Sequence, residues 1–177
     1  MKVIFSDING VLDDNKSHFK HFKKIEKYKK DLSVFKEIDE SKIELLAKIC
    51  IENDANLVFC SYWKHLLDLK DDKEMCSLLK SILIKLDSCG VKSVDFTPKS
   101  NENDGIWYHE KSMEINEYLR MHPEVDSYCV IGDTYSELEL HENNLILTTW
   151  DTDGLGNGGL LPKHQEEIKK ILSKKRK

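Results

Sequence analysis

The residues of greatest chemical interest follow the first apolar segment of the chain. The run 2–6 is short, apolar and rich in β-branched residues, and the sequence D-I-N-G-V-L follows it directly at 7–12. A carboxylate at the C-terminal end of a buried strand, before a glycine that allows a sharp turn, stands where open α/β sheets place their chemistry. The pattern therefore predicts that Asp7 belongs to a functional site.

Further polar residues follow later predicted strands or begin a predicted helix. Ser61 and Lys64 follow the apolar run 57–60, and Lys111 begins an amphipathic segment that extends to residue 121. Asp133 and Glu137 follow the apolar run 128–131. Because the carboxyl ends of parallel strands meet at one edge of a sheet, these residues are candidates for the same site as Asp7.

These segments resemble motifs of the haloacid dehalogenase (HAD) superfamily. Residues 7–11 are similar to its D-x-D-G-V motif, in which the first Asp attacks phosphorus, and residues 132–137, G-D-T-Y-S-E, are similar to its G-D-x-x-x-D metal motif. More narrowly, C-S-Y-W-K at 60–64 and K-S-M-E-I-N-E-Y-L at 111–119 resemble S-S-x-W-R and R-x-x-E-I-x-x-W-L of the HAD branch in Swiss army knife RNA-repair proteins. The chain departs from that branch at Lys64 and Lys111, where the branch has Arg, and at Gly132, where it has Asp.

The resemblance implies a Mg²⁺-dependent phosphohydrolase with Asp7 as the nucleophile. Asp7 and the backbone carbonyl of Asn9 would hold Mg²⁺, which prefers a few hard oxygen ligands and retains water. Asp133 would bind the metal directly. Glu137 would act through water or not at all.

The resemblance also implies which residues contact the phosphate. The hydroxyl of Ser61 would bind a phosphate oxygen, although Cys60, one residue earlier, is an alternative for that position. Lys111 would neutralise the nucleophile and the transferred group. Gly10 and Lys64 are the remaining expected substrate contacts.

Asn9 replaces the second Asp of the motif, which protonates the leaving oxygen and then activates water. An amide does neither, and loss of a general acid or base typically costs about 10² to 10⁴ in rate. Three interpretations stay open: a slow phosphatase, a relative that binds a phosphorylated ligand or partner without turnover, and a residue introduced in place of Asp. Asp13 and Asp14 are expected to lie too far past the turn to substitute.

Alternating strand and helix patterns predict an α/β fold, with one Rossmann-like, doubly wound, mainly parallel sheet and helices on both faces. We expect residues 1–177 to form a single HAD-like domain. The interval 13–40 has room for only a small cap or helical insertion, so we expect an open site. An open site suits a large phosphorylated substrate, such as a nucleic-acid end or a phosphoprotein. The segment 16–30 contains seven lysines and one acidic residue, Glu26. Its positive charge either attracts polyanions or forms a solvated surface.

Composition favours a cytoplasmic protein. Charged residues make up 33% of the chain, no apolar run is long enough to span a bilayer, and the N-terminus lacks a signal-peptide pattern. The five cysteines are scattered without a C-x-x-C pair, which is typical of reduced packing residues. A signalling receiver domain fits the pattern poorly, since it needs an acidic pair early in the chain.

Overall fold

The computed structural model describes residues 1–13, 38–61, 63–64, 73–91, 93–99, 110–149 and 158–176. Strands β1 to β5 comprise Lys2–Ser6, Ala55–Phe59, Val94–Phe96, Ser127–Gly132 and Leu145–Leu147. Helices α1 to α5 comprise Glu40–Asn53, Lys73–Ser88, Glu110–Met121, Tyr135–Leu138 and Gln165–Leu172. Short 3₁₀ segments at Glu139–Asn144 and Pro162–His164 precede β5 and α5 respectively.

The five strands form one parallel sheet in the order β3-β2-β1-β4-β5. Strand β1 is central, and the chain moves outward to β3 on one side before it crosses to β4 and β5 on the other. In such a sheet, the crevice at the carboxyl ends lies where the strand order reverses, here between β1 and β4. The predicted α/β class with a Rossmann-like, doubly wound sheet is confirmed.

Helices cover both faces of the sheet because the side chains of each strand alternate in direction. Ile4 of β1 packs in a core with residues of α1, α2 and α5. Val3 and Phe5 point the other way and pack with Ile115 of α3. These two cores hold the carboxyl ends of the strands in fixed register beneath the site.

The start of α1 is capped by a side chain. Asp39 is the N-cap, and its carboxylate accepts a hydrogen bond from the Ser41 backbone N–H at 2.9 Å. Both residue types cap helices well, and the carboxylate two residues earlier takes the position here because the helix already begins at Glu40.

No helix among the described residues is both long and apolar enough to cross a bilayer. The predicted cap or insertion at 13–40 lies almost entirely in the interval 14–37, outside the described residues. Its structure, and the boundaries of the single domain, stay predictions.

Candidate active site at the carboxyl ends of the strands

The pairing of β1 with β4 brings Asp7 close to the Gly132-Asp133 turn. Ser6 pairs with Ile131, and the backbone N–H of Asp7 donates to the Ile131 carbonyl at 2.9 Å. Gly132 lies so close that a Cβ on it would stand 4.0 Å from the Cβ of Asp7 and would clash with Leu138. Glycine at this position therefore lets α4 pack closely against the end of β4, beside Asp7.

Asp7 is buried and held by a charged partner from another element. Its Oδ1 accepts a hydrogen bond from the Ile8 backbone N–H at 2.7 Å, and its Oδ2 contacts the ammonium Nζ of Lys111. Lys111 also lies 2.6 Å from the Glu137 carboxylate. The structure thus brings together three predicted site residues, from the end of β1, the first turn of α3 and the short helix α4.

The electrostatics of this group keep Lys111 positively charged. Burial alone would lower the pKa of Lys111. The negative charge of Asp7, together with hydrogen bonds to Asp7 and Glu137, outweighs burial and raises the pKa well above its usual value. A permanent cation beside a candidate nucleophile can stabilise negative charge as it develops on a transferred group.

Asp133 lies against the glycine of the first motif. Gly10 has a positive φ of 69°, and a Cβ added there would collide with the Asp133 carboxyl group. The turn also receives a hydrogen bond at 2.7 Å from the Thr148 hydroxyl to the Gly10 carbonyl. Glycine is required here both for its backbone conformation and for its close contact with Asp133.

Asp13 returns to the site, so the expectation that it lies too far past the turn is wrong. It is buried, and its Oδ1 accepts a hydrogen bond from the Gly10 backbone N–H at 2.5 Å. Burial raises the pKa of Asp13 to about 6; the Gly10 hydrogen bond opposes that rise, and the charges of Asp7 and Asp133 add to it. Negative charge is therefore concentrated around the turn.

The remaining residues of the first two motifs differ in exposure. Asn9 is exposed, whereas Ser61 and Cys60 are buried at the end of β2. The Cys60 backbone N–H donates to the Ser6 carbonyl at 3.0 Å, which places this segment beside Asp7. Burial raises the pKa of the Cys60 thiol far above its usual range, so the thiol stays protonated. Whether Ser61 or Cys60 contacts phosphate stays a prediction.

Lys64 lies in a second buried ion pair rather than at an open surface. Its Nζ contacts the Glu114 carboxylate and lies 2.9 Å from the Thr97 hydroxyl, which itself lies 3.1 Å from Glu114. The side chains of Lys64 and Glu114 are each 2% exposed. The ammonium group of Lys64 therefore already has two partners within the protein. Contact of Lys64 with substrate stays a prediction.

The donor set around the turn fits a small divalent cation. Mg²⁺ commonly takes one or two carboxylates and completes its shell with water and phosphate oxygens. Asp7 and Asp133 can supply the carboxylates and Asn9 a backbone carbonyl, and a cation would offset the charge that raises the pKa of Asp13. The described residues include no group of three or more His, Cys, Asp or Glu side chains arranged for a metal. Glu137 faces Lys111 instead.

Sequence reasoning missed Asp13, Glu114 and Thr97. Glu114 carried a usable signal, because it lies three residues after Lys111 and such residues share one face of a helix. Thr97 gave none, since it follows a three-residue strand at the sheet edge and its partners are distant in the chain.

One protein family matches most of the chain. Residues 3–157 match the family described as HAD domain in Swiss Army Knife RNA repair proteins. Neither the curated proteins nor the solved structures contain a significant match. The matched region includes β2 to β5, all of β1 except Lys2, and every residue of the candidate active site, and the chain belongs to this family of HAD domains.

Proposed function

We propose that the protein hydrolyses phosphate esters with Mg²⁺ through an aspartyl-phosphate on Asp7, at a rate reduced by Asn9. The observation that carries this proposal is the buried contact between Asp7 and Lys111 at the carboxyl edge of the sheet. Membership of the HAD family supports phosphohydrolase-type chemistry in general.

The chemistry has two steps. A carboxylate oxygen of Asp7 attacks phosphorus, the bond between phosphorus and the ester oxygen breaks, and the leaving alcohol takes up a proton. Water then attacks the phosphorus of the aspartyl-phosphate, gives up a proton, and releases phosphate and free Asp7. Lys111 holds the attacking carboxylate in place and offsets negative charge on the phosphoryl oxygens.

A bound Mg²⁺ would supply further charge neutralisation for the phosphoryl oxygens. Asp7, Asp133 and the backbone carbonyl of Asn9 would hold it. Neither proton transfer is served by the side chain of Asn9, since an amide neither donates nor accepts a proton near neutral pH. An ester with a good leaving group needs no proton in the first step, so breakdown of the aspartyl-phosphate becomes the slow step for such substrates.

The second candidate is a module that binds a phosphorylated ligand, a nucleic-acid end or a protein partner without turnover. The amide of Asn9 favours this second candidate, because it cannot carry out the proton transfers that turnover needs. Under either proposal the phosphorylated group would enter beside the exposed Asn9, and a large substrate is compatible with the short interval available for a cap.

Activity of the Asn9→Asp variant separates the two candidates. Hydrolysis of para-nitrophenyl phosphate with Mg²⁺ should rise by about 10² to 10⁴ over the parent chain. Asp7→Asn in the same background is the matched control and should abolish the gain, and EDTA should do the same. An Asn9→Asp variant that stays inert on a broad panel of phosphate esters, yet binds inorganic phosphate, would support the binding module instead.

A further inference from the structure

Two buried ion pairs converge on the first turns of α3. Lys111 and Glu114 lie three residues apart on this helix, so they share one face. Lys111 contacts Asp7 after β1 and Glu137 after β4. Glu114 contacts Lys64 after β2 and Thr97 after β3. The start of one helix therefore contacts the segments that follow four strands.

We propose that Glu114 is a positioning residue that holds Lys111 against Asp7, through its buried ion pair with Lys64. Its action on the reaction rests on the proposed function, whereas its action on Lys111 does not. Glu114 contacts Lys64 and Thr97, so it acts on the reaction through the helix that it anchors. It fixes the position of the helix that carries Lys111 and balances the charge of the buried Lys64 ammonium.

The first part of this reasoning is geometric. Lys111 lies at the second residue of α3, where helix ends fray unless they are anchored. Ser112 anchors this turn on one side, since its hydroxyl donates to the Glu137 carbonyl at 2.8 Å. Glu114 anchors it on the other side, toward β2 and β3. Loss of that second anchor would let the helix start move relative to β1.

The second part is electrostatic. An ammonium group as deeply buried as that of Lys64 needs a negatively charged partner. Both ion pairs act on the Cys60 thiol. Burial raises its pKa most, and the charges of Asp7, Lys111, Lys64 and Glu114 also contribute. Without the charge of Glu114, the buried Lys64 ammonium would lose the carboxylate that holds it against the start of α3.

The variant Glu114→Gln tests the proposal because it keeps the size of the side chain and its hydrogen-bonding oxygen. In the Asn9→Asp background, we expect kcat to fall between about tenfold and a hundredfold with a much smaller change in KM, as for a slightly misplaced catalytic group. Glu117→Gln is the matched control, since Glu117 lies on the same helix in an exposed pair with Arg120.

A second measurement does not depend on activity. The side-chain ammonium of Lys111 can be followed by ¹H–¹⁵N NMR and assigned by its loss in Lys111→Met. We expect this signal to shift or broaden in Glu114→Gln and to stay unchanged in Glu117→Gln. If Glu114→Gln does not fold, Thr97→Val removes a weaker contact of the same carboxylate and should move the signal in the same direction.

An unmoved Lys111 signal in a folded Glu114→Gln or Thr97→Val variant would overturn the proposal. So would an unchanged kcat in Glu114→Gln, because a purely structural ion pair affects only unfolding. Absence of hydrolysis by Asn9→Asp would instead refute the proposed function, and the NMR signal would still decide the role of Glu114.

Discussion

The buried pair of Lys64 and Glu114 gives the sharpest prediction about stability. Replacing Lys64 by Met removes the cation that contacts the buried Glu114 carboxylate. Removing one member of a buried ion pair typically costs about 3–5 kcal/mol of the free energy of unfolding. A domain of this size has a total of about 5–15 kcal/mol, so the variant should be folded but markedly weakened.

Urea unfolding followed by circular dichroism measures this loss. With an m value of about 2 kcal/mol per molar urea, a loss of about 4 kcal/mol lowers the midpoint by about 2 M. The double variant Lys64→Met with Glu114→Leu removes both charges together and should recover most of that loss, since apolar replacements of a buried pair are often neutral.

An exposed ion pair provides the control for this experiment. Lys48 and Glu52 lie 3.7 Å apart on α1 and are each more than half exposed. Lys48→Met should therefore cost less than about 1 kcal/mol. The reasoning is refuted if Lys64→Met costs as little as Lys48→Met, or if the double variant loses as much as the two single variants combined.

Three further predictions concern the turn after β1 and the base of α3. Asp13→Asn should raise the free energy of unfolding at pH 7 in EDTA by up to about 3 kcal/mol in urea titrations, because burial and neighbouring carboxylates disfavour its charge while Asn still accepts from Gly10. Gly10→Ala should lower the free energy of unfolding by about 1–2 kcal/mol, because Ala is strained at the positive φ of this position. The variant should also bind Mg²⁺ more weakly in calorimetry, since the added carbon displaces Asp133, and full Mg²⁺ affinity would contradict that contact. Burial lowers the pKa of His141 below 6.5, so the unfolded chain binds more protons and the parent should lose stability as pH falls below about 6.5. Urea unfolding at pH 7.5 and 5.5 should show a smaller loss of stability in His141→Asn than in the parent. An equal loss in both proteins would contradict the prediction.

The elements of the sheet were largely predictable from local patterns. The apolar runs 2–6 and 128–131 lie within β1 and β4, and the helix predicted from Lys111 to residue 121 begins one residue earlier, at Glu110. The edge strand β3 begins only at Val94, although the apolar residue Val91 lies three residues earlier. Residues at a sheet edge pair on one side only, so their apolar character alone does not define where pairing begins.

Side-chain partners were much harder to predict than the elements. The sequence favoured Lys64 as a substrate contact, yet its ammonium lies against Glu114, fifty residues away in the chain. Asp13 was expected to lie away from the site, but the turn at Gly10 returns its carboxylate to the backbone. Both outcomes depend on strand order and turn geometry, which local periodicity does not determine.

The most direct test of the account is whether Asp7 itself becomes phosphorylated. The parent chain retains Asp7 and Lys111 but lacks the acid/base group that would speed breakdown, so the intermediate should accumulate. After incubation with Mg²⁺ and acetyl phosphate, whose leaving group needs little protonation, intact-mass spectrometry should show the addition of one phosphoryl group. Peptide mapping should place it on Asp7, and Asp7→Asn should remove it. An adduct on a residue other than Asp7 would contradict the account. So would the absence of both adduct formation and phosphate-ester turnover in the parent chain and in its Asn9→Asp variant.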